Sequence, residues 1–353
     1  MTLARVRAVV ELRLHQPQAL LRVEALHMPE GPVLDMASAS DQVVGDMTGG
    51  AIACRAVLLG GVGGLVGCAT AGNPPSPSPS QSPADGRIAA AQAELAALET
   101  RFGGRLGVMA VDTVTGAAVG HRPDERFLLA STAKVPIVAA ILRRAEQEQG
   151  LLERLIRYDR SALLEYAPAT TANLATGMTV AALCQAAITV SDNTAANLLF
   201  DLLGGPAAAT AFVRTLGDPT TRLDRLEPEL NLTTPGDQRD TTTPRAITAD
   251  LQALTLGDAL DPAGRDRLNG WLAANTTGAR QIRAGLPPGW QVGDKTGAGS
   301  QGESNDIAIA RPPGHPPLLI SVYTAPTDPH NDTGPATIAT AATIVARALG
   351  PTT

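Results

Sequence analysis

From residue 87 onward, apolar positions recur with helical spacing through the middle of the chain and with strand-like alternation near both ends. Residues 88–102 are rich in Ala and Leu, carry Glu94 and Glu99, and predict a helix. Residues 105–112 alternate as a strand, 113–116 supply a turn and 117–121 return, which predicts a hairpin. Further helices are predicted over 134–149, 179–190, 192–203 and 206–216, the last opened by a proline suited to a first turn. Residues 218–244 are rich in Pro, Thr, Asp and Arg, and a loop of that length is usually functional or disordered. Helices resume at 244–256 and 262–275, strands follow at 291–296, 306–310 and 318–324, and a helix over 335–349 ends the pattern. Strands at both ends with helices between imply a sheet assembled from distant segments and an inserted helical lobe. The crevice between sheet and lobe is the expected place for a site.

The first part of the chain has no such periodicity. Residues 1–46 mix Arg5, Arg7, Arg13 and Arg22 with six acidic residues, too acidic for a transit peptide, and are assigned to a non-native or disordered N-terminal extension, with Met47 the better start. An apolar run over 51–66 then leads into Leu65-Val66-Gly67-Cys68. This stretch resembles a bacterial lipoprotein box, in which the cysteine becomes the lipidated first residue of the mature chain. The resemblance implies a signal segment over 47–68, export to the cell envelope and a membrane anchor at Cys68. Residues 69–86, with Pro and Ser alternating in their centre, read as a semi-rigid linker, which leaves 87–353 as the catalytic domain.

Composition narrows the function classes. A formal net charge of -6 argues against nucleic acid as a partner. Four Phe, three Tyr and two Trp leave the core to Ala, Leu, Val and Ile. The cysteines, Cys54, Cys68 and Cys184, show no zinc spacing and the five histidines are scattered, so no metal and no cofactor are expected.

One feature of the composition points directly to chemistry. The chain has only two lysines, Lys134 and Lys295, and every other fixed cation is arginine. Arginine stays protonated in a protein, whereas a buried lysine can lose its proton. Lys134 follows Ser131 by three residues at the start of a predicted helix, which puts both on one face. An amine beside a serine hydroxyl can remove its proton and make it a nucleophile.

Four patterns occur in order: Ser131-x-x-Lys134, Ser191-Asp192-Asn193, Glu227-Pro228-Glu229-Leu230-Asn231 and Lys295-Thr296-Gly297. Together, with their separations, they resemble a class A (serine) β-lactamase across residues 88–350. The resemblance implies an α/β fold with an antiparallel sheet flanked by helices and an inserted all-helical lobe. It implies hydrolysis of β-lactams through an acyl-serine, with small-molecule substrates and a monomeric enzyme. Ser131 would be the nucleophile, with the N–H groups of Ser131 and Ala298 as the oxyanion hole. Ser191 would relay a proton to the departing nitrogen and Asn193 would bind the substrate's side-chain amide. Lys295 and Thr296, followed by Gly297, would meet the substrate carboxylate. Glu227, with Asn231, would activate the deacylating water. Arg225 and Asp240 would close the loop by an ion pair, and Asn197 would support Glu227. Tyr166 is either an aromatic wall of the cleft or a half-buried core residue. Whether Lys134 or Glu227 takes the serine proton stays open at this point.

The chain departs from the pattern in three places. The family's carboxylate-binding arginine is replaced by Gln281 and Ser304 at the two positions that usually carry it, with the adjacent Arg280 a candidate substitute. Ala133 stands where a bulkier aromatic is common. Cys184 sits where some relatives form a disulfide, but by the resemblance the partner position holds Val138, so a free buried thiol is expected. The nearest alternative is a penicillin-binding DD-peptidase or acyl-serine sensor, which would lack the loop carboxylate Glu227. A lipid-tethered binding protein without catalysis would have no need of the full set.

Overall fold

Strands β1 (Gly104–Asp112) and β2 (Ala118–His121) form the predicted hairpin, while β3 (Gln291–Ala298), β4 (Ser304–Arg311) and β5 (Leu318–Pro326) arrive from the far end of the chain. They pair as one five-stranded antiparallel sheet in the order β2-β1-β5-β4-β3. The computed structural model that gives this architecture describes residues 83–351. The predicted N-terminal extension, the signal segment with Cys68 and most of the linker lie outside the described residues.

Eight longer helices surround the sheet: α1 (Pro83–Phe102), α2 (Lys134–Ala145), α3 (Val180–Thr189), α4 (Asn193–Leu203), α5 (Pro206–Thr215), α6 (Pro244–Thr255), α7 (Pro262–Ala273) and α8 (Gly334–Leu349). Both sheet faces are covered, so alternate residues of each strand enter different cores. On β4, Ala308 and Ala310 pack with α1 and α8, whose apolar stripe includes Ile338, Ala341, Ala342 and Val345 at helical spacing. Ile307 and Ile309 point the other way, into the core shared with α6 and the helical lobe.

The lobe is built around α2. Every residue from Lys134 to Leu142 is buried, and a helix buried on all sides must be enclosed by others, here α3, α4, α5 and α7. Side-chain caps start several of these: Thr179 accepts from Ala182 N at 3.2 Å, Thr243 from Ala246 N at 3.2 Å and Asp261 from Gly264 N at 2.6 Å. The expected thiol is present: Cys184 is fully buried and free, and burial pushes its pKa up.

Local boundaries differ from the sequence expectation for physical reasons. α2 ends at Ala145 because Glu146-Gln147-Glu148-Gln149 offers nothing apolar to extend the buried face, and Gly150 then turns with φ 79°. α1 begins at Pro83, so the last part of the predicted linker is helical, with Asp85 in the favourable first turn. The long loop is not structureless. It contains a 3-10 turn at Glu229–Asn231 and a short strand, Thr241–Thr242, paired with Phe127–Leu128.

Candidate active site

The chain enters α2 through one 3-10 turn, Ala130–Ala133, and Ala130 holds the left-handed φ of 45° that aims this turn at the sheet. Ser131 faces the crevice between sheet and lobe, and Lys134, in the first turn of α2, is fully buried beside it. Lys134 Nζ lies 2.8 Å from Ser131 Oγ, 2.6 Å from Asn193 Oδ1, 2.9 Å from Ser191 O and 3.2 Å from Ser191 Oγ. Glu227 Oε1 is 2.9 Å away on another side. An ammonium has three protons to give, fewer than the oxygens around it, so this nitrogen sits at a junction of proton positions. Burial lowers the Lys134 pKa, and the carboxylate of Glu227 opposes that shift.

The lobe's wall comes from the junction of α3 and α4. Ser191 has φ 57°, and its Oγ stands between two amines, 3.2 Å from Lys134 Nζ and 3.0 Å from Lys295 Nζ. Asp192, the middle residue of the motif, is fully buried and caps α4 through Ala195 N at 2.8 Å. The same carboxylate receives the N–H groups of Ala169 and Thr170, each at 2.9 Å, and Asn193 N donates to Tyr166 O at 3.0 Å. Asp192 therefore anchors the segment that carries Tyr166, a task the motif alone did not reveal. Tyr166 is 53% exposed at the cleft, which corrects the half-buried core alternative.

Glu227 is only 2% exposed, and the loop delivers it through paired contacts. The side-chain amide of Asn197 brackets its backbone, donating to Glu227 O at 2.8 Å and accepting from Glu227 N at 2.9 Å. The peptide bond to Pro228 is cis. Asn231 Nδ2 donates to Glu227 Oε2, while Asn231 Oδ1 is buried without a hydrogen-bonding partner among the described residues. Arg225 Nε meets Asp240 Oδ2 at 2.5 Å, as expected, and Asp240 O accepts Leu129 N at 2.8 Å. That last bond links the root of the loop to the segment that carries Ser131.

The opposite wall is β3. Lys295 is fully buried and donates to Thr296 O at 2.7 Å as well as to Ser191. Burial and the charge of Lys134 lower its pKa to about 7, against the pull of Asp294, Glu227 and Asp306. Gly297 is required by close approach: a Cβ there would stand 3.0 Å from Leu129 O and 3.2 Å from Ser131 N. Its absence lets β3 come up to the turn that carries Ser131. Behind the strand, Asp294 is held by Asn275 Nδ2 at 2.7 Å and by Arg283, and a Cβ on Gly278 would overlap its carboxylate.

Ser131, Tyr166, Ser191, Asn193 and Asn231 meet Thr296, Gly297 and Ala298 around a cleft of about 370 Å³. Lys134, Glu227 and Lys295 lie buried behind these surface groups, and Asn197, Arg225 and Asp240 stand further back as supports. Two residues complete the rim. Thr277, which no motif flagged, pairs its hydroxyl with that of Thr296 at 2.5 Å. Gln281 lines the cleft with a buried Oε1 that has no hydrogen-bonding partner among the described residues, whereas Arg280 is exposed and lines no part of it. Arg280 therefore does not take the place of the missing arginine at the cleft; its neighbour Gln281 lines it.

The Lys295 environment gives a pH prediction. If Lys295 meets the substrate carboxylate, loss of its charge as pH rises through about 7 is expected to lower kcat/KM for a carboxylate-bearing substrate on that limb. Lys295→Arg keeps its charge and is expected to move the limb upward by more than one pH unit. A pH profile with an unmoved limb would assign it to another group.

Comparison with known proteins agrees with this geometry. Residues 90–349 match the Beta-lactamase enzyme family. The chain is 52% identical over 259 residues to Beta-lactamase FAR-1 of Nocardia farcinica, covering 73% of this chain and 83% of that one. It is 50% identical over 256 residues to the carbapenem-hydrolyzing beta-lactamase KPC of Klebsiella oxytoca, covering 72% and 87%. The solved class A beta-lactamase from Mycobacterium abscessus is similar with a TM-score of 0.72 and 53% identity, covering 74% of this chain and all of that one. With a serine and a buried lysine in contact, a loop carboxylate joined to both through that lysine, and these relatives along most of its length, the chain belongs to the class A β-lactamases and is a serine hydrolase of β-lactams.

Proposed function

We propose that Ser131 is the nucleophile and that Lys134 removes its proton directly. The observation that carries this is the position of Lys134 Nζ, 2.8 Å from Ser131 Oγ and 2.9 Å from Glu227 Oε1. Burial favours the neutral amine, and Glu227 is the acceptor at hand for the proton that must leave. The amine then takes the serine proton as Oγ attacks the lactam carbonyl. The N–H groups of Ser131 and Ala298 stabilise the oxyanion, an arrangement supported by the close passage of Gly297.

When the ring C–N bond breaks, the proton travels from Lys134 through Ser191 Oγ to the departing nitrogen. Lys134 retrieves its own proton from Glu227 and leaves a carboxylate. That carboxylate takes a proton from the water that attacks the ester, with Asn231 orienting the water; as the ester C–O bond breaks, Lys134 gives a proton to Ser131 Oγ and recovers one from Glu227, which restores hydroxyl, ammonium and carboxylate. Asn193 binds the substrate's side-chain amide, and Lys295 and Thr296 hold its carboxylate. Tyr166 flanks the opening. Asn197, Arg225 and Asp240 position Glu227.

The experiment follows colour and protein mass together on incubation with a chromogenic cephalosporin. Catalytic turnover with the protein mass restored supports this reading. A single stoichiometric burst with a permanent adduct would contradict it in favour of a penicillin-binding protein.

We further propose export through the signal segment 47–68 and lipid anchoring at Cys68. The apolar run ending in Leu65-Val66-Gly67-Cys68, followed at once by a Pro/Ser-rich tether, supports this. Cys68→Ala is expected to shift the enzyme from the membrane fraction to the soluble envelope fraction on cell fractionation; an unchanged distribution would refute the anchor.

A further inference from the structure

Glu303 takes no part in the chemistry above, yet it is buried at 5% exposure in the turn between β3 and β4 and makes no ion pair among the described residues. A buried carboxylate is costly unless its oxygens are used, and here both are. Oε2 accepts Gln301 N at 2.8 Å, and Oε1 accepts the hydroxyl of Thr233, on the loop that carries Glu227 and Asn231. The neighbouring Ser300 adds two ties to the same loop, donating its N–H to Asn231 O at 2.9 Å and accepting Thr233 N at its Oγ at 3.3 Å. The space is fully used: a Cβ on Gly299 would stand 2.4 Å from Glu303 Oε2 and 2.7 Å from Leu128 Cδ2.

We propose that Glu303 is a positioning residue for deacylation, clamping the loop to the end of β3 so that Asn231 and Glu227 stay in register over the acyl-serine. The proposal rests on the deacylating role assigned to Glu227. The Glu303 carboxylate bonds neither Lys134 nor Ser191, and Glu227 serves in acylation only as a nearby acceptor for the Lys134 proton, so loss of the clamp is expected to act mainly on the second half-reaction.

For an acyl-enzyme limited by deacylation, kcat and KM then fall together while kcat/KM, set by acylation, is kept. With benzylpenicillin and the full chain, Glu303→Ala is expected to lower both kcat and KM about tenfold, because a small displacement of a positioned group is enough for such a loss. Acyl-enzyme then accumulates in rapid-quench mass spectra. Thr233→Val, which removes only the hydroxyl donor, reproduces the effect, and Glu303→Gln, which keeps an acceptor for that hydroxyl, restores most of the rate. A fall in kcat/KM parallel to kcat, or unchanged kinetics with only a lower melting temperature, overturns the proposal. Glu227→Gln measured beside them separates the two claims. A stalled acyl-enzyme there with normal deacylation in Glu303→Ala overturns the Glu303 role alone, whereas normal deacylation in Glu227→Gln overturns the reading on which it rests.

Discussion

Lys134→Met is expected to lower kcat/KM by about 10⁴-fold, the scale seen when one member of a nucleophile's proton-transfer unit is removed. Methionine fills much of the same volume without an amine, so the buried N-terminal turn of α2 keeps its packing. Three functions are lost at once. Ser131 Oγ loses the base 2.8 Å away, Ser191 Oγ loses its proton donor on the lobe side, and Glu227 loses the cation that balances its charge. Arginine does not rescue the site, because it cannot give up a proton. Rapid-quench mass spectrometry should find no adduct on Ser131 within the time that saturates the wild-type enzyme. An adduct formed at the wild-type rate would show that another group removes the serine proton.

Glu227→Gln is expected to separate the two halves of the reaction. Glutamine is nearly isosteric and leaves the bracket to Asn197 untouched, since that bracket uses only backbone atoms of residue 227. The neutral side chain withdraws the charge that had raised the Lys134 pKa, so the amine is more readily free and acylation survives. Deacylation has no such recourse, because an amide takes no proton from water, and kcat should fall by about 10³-fold or more. Steady-state kinetics check this: kcat and KM both drop, and kcat/KM changes far less.

Much of this site was legible in the sequence because its chemistry depends on residue types that are rare here. Two lysines in a chain of arginines marked Lys134 and Lys295, and the structure buries both within reach of Ser191 Oγ. The helices with strong apolar stripes and the terminal strands were also readable, since each buries a face whose period shows in the chain. Ala133 is fully packed within the core beneath the nucleophile.

What could not be read depends on pairs far apart in sequence. Thr277 matters because a strand brings Thr296 to it across 19 positions, and neither flanking stretch has a period that announces the contact. Gln281 precedes a four-residue helix, Ile282–Gly285, too short for any stripe, and the segment is held by bonds to distant and local partners, Ile282 N to Asp306 and Gln281 N to Gly278 O among them. The loop at 218–244 read as irregular because its order comes from outside: Leu129, Asn197 and Glu303 each hold it from another element. Asp192 looked like a helix cap and is one, but its second oxygen binds a segment more than 20 positions upstream.

The division of labour between Lys134 and Glu227 is the centre of this account, and one measurement bears on it most directly. Glu227→Gln is mixed with a penicillin and quenched over a time course, and the intact protein mass is read at each point. The account predicts one substrate mass added per protein, attached to Ser131, formed within a few-fold of the wild-type acylation rate and persisting long after the wild-type enzyme has cleared its adduct. Loss of acylation in this variant to the same degree as deacylation would contradict it, by making Glu227 the base for both steps.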